Sequence, residues 1–183
     1  MELKAQLQQL ISELAEARHT YDLLVFDELQ PNELGAPATV EQINQLTARL
    51  GKPLPPSYRA FLELHNGWSD FEGDGKLLAV EDHDSEWVQE KIQYWNDIWD
   101  EDSDNPFDHG AIPVLLGESL NHFLVLDPRR TAPNGQLLFV HYDYMQEEKT
   151  YDDFVAYLNN RLLILKRLIE RETQGVDDGG DEA

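Results

Sequence analysis

The residues able to do chemistry in this sequence are mainly carboxylates, together with six histidines and no cysteine. No two histidines stand at the His-Glu-x-x-His spacing that places two imidazoles on one helix face for zinc. The lack of cysteine excludes thiolate metal sites, thiol nucleophiles and disulfides, and it fits a reducing compartment. The sequence therefore gives no sign of a common zinc site or of cysteine catalysis.

One run of acids has part of the spacing of a calcium-binding loop. Asp100, Asp102 and Asp104 match the first three ligand positions of that loop. The sixth position is Asn105, where the loop needs glycine, and the twelfth is Ala111, where it needs a bidentate glutamate. We therefore predict no calcium site and no other metal.

Other catalytic motifs are also missing from the sequence. The stretch EGDGK is not followed by the Ser or Thr of a phosphate-binding loop, and Gly-x-Ser-x-Gly does not occur. Carboxylates are numerous enough that an acid–base pair stays open, but no pair stands out. We predict a protein that is not an enzyme and that has no cofactor.

The charge is the most unusual global property, because 36 Asp and Glu face 14 Lys and Arg for a net charge of −22. Such a surface repels nucleic acid and anionic membranes and attracts basic proteins. We predict a basic protein partner, no nucleic acid and no membrane; the alternative is that acidity only maintains solubility. The amino-terminal segment lacks the apolar run of a signal peptide or membrane span, so we expect a soluble, cytoplasmic protein.

Helical periodicity predicts elements that position these acids. The first two dozen residues form an amphipathic helix whose apolar stripe holds Leu3, Leu7, Leu10, Leu14, Tyr21 and Leu24, with Ile11 and Val25 beside it. Thr39 and Gln42 have capping-box spacing for a second helix, which ends at Gly51. The stretch LPPSYRAFLELHNGW, residues 54–68, predicts a third, structural helix that begins at Pro56 and ends at Asn66-Gly67.

The second half of the chain predicts strands and two more helices. In SEWVQEKIQYWNDIW the apolar residues Val88, Ile92, Trp95 and Trp99 share one helix face, which is typical of core. Strands are predicted at residues 77–80, 112–116, 122–126 and 136–142, and short turns between the last three indicate an antiparallel meander. Thr150 is predicted to cap a long last helix.

Several of these motifs together resemble the SUKH superfamily. Segment 54–67 contains Leu-Pro, Tyr, Phe-Leu and Asn-Gly in the order of the family helix that leads into the sheet. Later matches are Ile112-Pro113, Gly117-Glu118, a strand ending at Asp127, and a terminal helix with Phe154 and Leu158. The resemblance covers about Thr39 to Leu158, with Trp68 in place of a further glycine and an added acidic insertion around Asp100.

The resemblance implies an α+β fold: a SUKH-like antiparallel β-sheet packed with helices, with an added N-terminal amphipathic helix and a long C-terminal helix. We predict an N-terminal helix and loop over residues 1–37, the α+β domain over 38–172, and a disordered acidic tail over 173–183.

The resemblance also implies a function, since bacterial members are mainly immunity proteins. Such a protein binds and neutralises a cognate secreted toxin domain. A toxin that acts on an anionic substrate, such as a nuclease, commonly has a basic cleft, and an acidic surface would occlude it. The alternative is an intracellular scaffold or regulatory module of the same family. The oligomeric state stays open.

We predict the partner-binding surface in segment 70–108, where acids far outnumber lysines and four tryptophans lie within or beside the segment. The predicted contact residues are Asp70, Glu72, Asp74, Trp99, Asp100, Asp102 and Asp104. The alternative is that the tryptophans form core and the acids a solvated rim.

Overall fold

A computed structural model describes residues 2–99, 103–119 and 121–175. The helices are α1 (Glu2–Phe26), α2 (Val40–Leu50), α3 (Pro56–Leu62), α4 (Glu86–Ile98) and α5 (Phe154–Thr173). The strands are β1 (Glu33–Leu34), β2 (Trp68–Glu72), β3 (Gly75–Leu77), β4 (Ile112–Leu116), β5 (His122–Thr131), β6 (Leu137–Asp143) and β7 (Gln146–Tyr151). The predicted α+β class, with its N-terminal and C-terminal helices, is confirmed.

The seven strands form one sheet in which each strand pairs antiparallel with its neighbour along the chain, from β1 to β7. The predicted meander therefore exists, and it is longer than the sequence indicated. The prediction missed β1, β2 and β7, and it placed β3 two to three residues too late. Segment 68–72 looked like a turn because polar and acidic residues dominate it, but two of its five residues, Trp68 and Phe71, are buried.

The described chain divides into two compact units: residues 32–154, and a second unit built from the chain ends up to residue 31 and from residue 155 onward. In the unit of the chain ends, α1 buries Leu7, Leu10 and Leu14 as predicted, and Lys166 Nζ lies 3.6 Å from Glu13 Oε2.

The predicted apolar stripe of α1 is wrong at its carboxyl end. Leu24 and Val25 are 45% and 39% exposed. The buried position after Ala17 is Asp22, which accepts hydrogen bonds from Arg18 Nε at 2.7 Å and from the Gln30 backbone at 3.3 Å. Because Leu24 lies two residues beyond Asp22, about 200° around the helix, it faces away from the buried side.

In the unit of residues 32–154, α4 packs on the sheet through its predicted apolar face. The ring centroids of Trp95 and Phe123 are 4.8 Å apart, and those of Trp99 and Tyr142 are 5.6 Å apart. Val88 is also fully buried. Burial of several such aromatic side chains contributes a large part of the core of this unit.

Helix α3 forms a second aromatic contact with the sheet. Tyr58 meets Phe139 and Phe154 at ring distances of 5.8 and 5.2 Å, and the Ser57 hydroxyl accepts a 2.9 Å hydrogen bond from the Phe154 amide. The helix is therefore scaffold, as predicted, although it ends at Leu62 and not at Asn66.

Asn66 and Gly67 form the turn from α3 into β2. Asn66 Oδ1 accepts a 2.9 Å hydrogen bond from the Val80 amide, and its Nδ2 donates a 2.7 Å bond to Glu81. Gly67 has a φ of 89°, and a β-carbon there would lie 2.7 Å from the Ala79 nitrogen. Only glycine fits so close an approach of two backbone segments.

The helix ends were predicted with mixed success. The capping box of Thr39 and Gln42 is confirmed, and Gly51 ends α2 with a φ of 70°. Thr150 does not cap α5, because it lies in β7, opposite Val140. The strand QEEKTY is too polar for its hydrophobic pattern to have predicted pairing.

Candidate interaction surface

Two of the predicted contact acids, Glu72 and Asp74, lie at one end of the sheet, where the β2–β3 turn meets the β4–β5 loop. Asp74 Oδ2 accepts hydrogen bonds from both the backbone amide and the hydroxyl of Ser119, each at 2.7 Å. Asp74 remains exposed. The aspartate therefore joins two connections that are 45 residues apart in sequence.

Glu72 begins a row of four side chains that crosses the sheet, in which two imidazoles lie between two carboxylates. Its Oε2 lies 3.6 Å from His122 Nε2. The His122 and His141 rings are 5.3 Å apart, and His141 Nδ1 lies 2.7 Å from Glu148 Oε2.

Burial lowers the pKa of both His122 and His141, and the nearby carboxylates oppose that effect. Lowered values favour neutral imidazoles at pH 7. Among the residues that the structure describes, no three His, Asp or Glu side chains are placed to hold a metal ion.

Asp104 is held by Arg129 and lies close to His109. It accepts a 2.6 Å hydrogen bond from Arg129, and His109 Nε2 lies 3.3 Å away. Arg129 also binds Asp127, whose side chain is fully buried, at 2.6 Å. The Arg129 hydrogen bond lowers the pKa of Asp104. Asp104 is thus exposed and shares the Arg129 guanidinium with the buried Asp127.

The remaining predicted acids have different positions. Asp70 lies in β2, half-buried, with a φ of 48°. Asp100 and Asp102 lie outside the described residues, so their place in the surface stays a prediction.

Trp99 needs a correction. Its side chain is 7% exposed, and it packs on Phe123 and Tyr142 in the core. It ends the apolar stripe of α4, four residues after Trp95, and therefore faces the sheet. As placed, Trp99 supports the core and offers little surface to a partner.

The exposed aromatic residues are ones that the sequence interpretation did not select. Tyr94 on α4 is 51% exposed, and Tyr144 in the β6–β7 turn is 54% exposed. Ile98 and Met145 are 38% and 37% exposed. The exposure of Tyr94 can be predicted from the sequence, because the residue precedes Trp95 of the buried stripe by one position. The exposure of Tyr144 can be predicted only if the strand β7 is known to follow it.

No described helix is both long enough and apolar enough to cross a membrane.

Comparison with known proteins places these features in a family. No curated protein matches the chain with significant similarity. The family model of the SMI1 / KNR4 family (SUKH-1) matches residues 37–160, which include the whole sheet from β2 to β7 and helices α2 to α4. The resemblance seen in the sequence is confirmed, and the chain belongs to the SMI1 / KNR4 family (SUKH-1).

Proposed function

We propose that this SUKH-1 domain is a non-enzymatic immunity protein that binds and neutralises a cognate toxin domain with a basic surface. The observation that carries the proposal is the net charge of −22 on a chain that belongs to this family. A cleft built for an anionic substrate is positive, and an acidic protein that covers it would block substrate entry.

The charge supports recognition in two ways. Electrostatic attraction acts over about 10 Å in 0.1 M salt and raises the association rate above the roughly 10⁵ to 10⁶ M⁻¹s⁻¹ of uncharged pairs. The same charge disfavours nucleic acid, so the inhibitor does not compete with its target for the substrate.

Electrostatic attraction between the two proteins does not by itself give tight inhibition. Nanomolar affinity needs about 12 kcal/mol, and exposed ion pairs contribute only about 0 to 1 kcal/mol each. The acids Asp70, Glu72, Asp74 and Asp104, together with Asp100 and Asp102, are proposed as charge contacts that flank a desolvated centre. Since Trp99 is core, that centre must come from other side chains.

Co-expression tests the proposal directly. The C-terminal domain encoded by the neighbouring upstream reading frame is expressed in cells with and without this protein, and the two chains are then co-purified. Relief of toxicity together with a stable complex is the expected result. Toxicity that persists, with no complex, would contradict the proposal for that partner.

A second function, as a scaffold or regulatory module, is favoured by one observation on α1. Residues Leu23, Leu24, Val25, Phe26 and Leu29 are 39% to 54% exposed. An exposed apolar run of this kind is typical of protein association. A neighbour that is harmless to cells, with this protein self-associating in solution, would favour that function over immunity.

A further inference from the structure

We propose that Tyr94, Ile98, Tyr144 and Met145 form the anchor patch of a binding surface for a protein rich in arginine and lysine. This inference rests on the proposed function only for the identity of the partner as a toxin. The patch lies outside the predicted list of contact residues and replaces Trp99 as the desolvated centre.

The four side chains are large, apolar and accessible. Their exposed fractions run from 37% to 54%, while Trp95 and Trp99 on the same helix are 1% and 7% exposed. Aromatic residues and methionine are enriched at the cores of protein interfaces. Tyrosine is also one of the residues that most often dominate binding energy.

The β6–β7 hairpin places Tyr144 and Met145 where the fold does not need them. Asp143 pairs with Gln146, so these two residues form the whole loop. Tyr144 has a φ of 52°, a conformation that tight hairpin loops usually give to glycine or asparagine. A bulky side chain that is strained and half-exposed does little for folding, which favours a role in contact with a partner.

The β4–β5 loop joins the two halves of the patch. Lys91 Nζ donates a 2.8 Å hydrogen bond to the Glu118 carbonyl and lies 5.2 Å from the Tyr94 ring centroid. The Tyr144 amide donates a 2.7 Å bond to the Asn121 carbonyl. Only Ser119 and Leu120 separate these two anchor points along the chain, so Tyr94 and Tyr144 flank one short loop whose ends are fixed by hydrogen bonds.

Charge identifies the partner. Asp97 and Asp143 are exposed on the two elements that carry the patch, and Glu118 and Asp74 are exposed in the β4–β5 loop and in the β2–β3 turn that is bonded to it. Lys91 is engaged with Glu118 and Tyr94, and burial lowers its pKa. A second copy of the chain would bring another −22 charges to the contact and be repelled. Arginines of a basic protein would instead pair with these acids and stack on the tyrosine rings.

A cavity of about 490 Å³ at the hairpin fits that chemistry. It is lined by Ser103, Asp143, Tyr144, Met145 and Gln146. Its walls combine one carboxylate with an aromatic ring and a thioether. This composition suits a long basic side chain, whose methylenes contact apolar surface and whose charged end meets an acid.

The test uses the full chain and a substitution that separates binding from folding. Tyr144→Gly with Met145→Asn puts glycine at the one loop position whose φ is positive, as two-residue hairpin loops of that kind prefer, so folding stability should be kept or raised. Tyr94→Ala keeps a strong helix former on α4. Val40→Ala, at an apolar residue that is 60% exposed on α2, is the matched control.

The first measurement is affinity for the toxin domain identified by co-expression. Each patch variant should weaken binding about 30-fold, the effect of losing a strong hot spot, and Val40→Ala should leave it unchanged. Toxin binding that persists at full strength in both patch variants would overturn the inference while leaving the immunity function intact.

The second measurement does not depend on the toxin. A nona-arginine peptide is titrated into the ¹⁵N-labelled protein, and the amide shifts should concentrate at residues 94–98, 118–119 and 143–146. Shifts centred on any other acidic segment would overturn the inference. If the neighbouring domain proves harmless, shifts at the patch would still support this surface, so failure of the proposed function is distinguishable from failure of the patch.

Discussion

At the scale of the residue, the best-supported polar contact is the pair between Arg129 and the fully buried Asp127. Arg129 donates to both carboxylate oxygens of Asp127 and also to Asp104. A buried carboxylate is stable only when it is paired and hydrogen-bonded. This single arginine therefore neutralises the buried Asp127 carboxylate of β5. It also positions Asp104, one of the acids proposed for binding.

Removal of that arginine is the first prediction. Arg129→Met should lower the free energy of unfolding by about 3 kcal/mol, because it leaves the Asp127 charge buried and unpaired. Urea denaturation measures the change. Asp104→Asn is the control, and it should cost less than about 1 kcal/mol because Asp104 is an exposed partner. An equal loss of unfolding free energy in the two variants would contradict the role of Arg129 as the partner of the buried Asp127.

His83 gives the second prediction, on pH dependence. Its side chain is 2% exposed, and burial, helped by Arg49 and opposed by Asp82 and Asp84, lowers its pKa from 6.5 to about 4. The unfolded chain therefore takes up a proton first as the pH falls. The stability contributed by the neutral imidazole is complete above pH 6.5 and is lost as the pH falls toward 4.

The expected effect is measurable by denaturation at several pH values. Between pH 7 and pH 5 the folded state should lose about 2 kcal/mol through this group. His83→Gln should flatten the pH dependence over that range, whatever its effect at pH 7. His19→Gln, at an exposed position on α1, is the control and should leave the slope unchanged; an equal slope in His83→Gln would contradict the prediction.

At the scale of the element, the turn from α3 into β2 depends on a close approach of two backbone segments at Gly67. Gly67→Ala should destabilise the fold by about 3 kcal/mol, since a β-carbon would meet backbone atoms of Leu77 and Ala79 and the φ is positive. Gly51→Ala is the matched control: its φ is also positive, but no atom lies within 4 Å of a new β-carbon. It should cost about 1 kcal/mol. Thermal unfolding measures the loss of stability in both variants. Similar losses in Gly67→Ala and Gly51→Ala would contradict the close backbone approach at Gly67.

At the scale of the whole molecule, the net charge of −22 produces self-repulsion that salt screens. Raising NaCl from about 20 mM to about 500 mM should raise the Tm by a few degrees, because the Debye length falls from beyond 10 Å to below 8 Å. An equal concentration of glycerol is the control for non-ionic effects. A Tm that falls with salt would mean that ion pairs such as Arg130–Glu147 outweigh the repulsion.

The elements that could be predicted from the sequence are those stabilised by contacts between near neighbours in the chain. The capping box and Gly51 bound α2, the spacing of Val88, Trp95 and Trp99 identified the buried face of α4, and the turn-separated apolar runs identified β4, β5 and β6. These signals depend on hydrogen bonds and side-chain periods within a few residues of one another. The charge and the family motifs are likewise properties of the sequence alone.

The tertiary structure alone decided which side chains are available to a partner. The polar strand β7 forms because β6 supplies its hydrogen-bond partners. The sequence QEEKTY has no hydrophobic pattern that would predict this pairing. That hairpin exposes Tyr144, while packing on Phe123 and Tyr142 buries Trp99. Likewise, only folding brings Arg129 to Asp104 and Ser119 to Asp74. Exposure and ion pairing depend on contacts between residues far apart in the chain, which composition and periodicity do not contain.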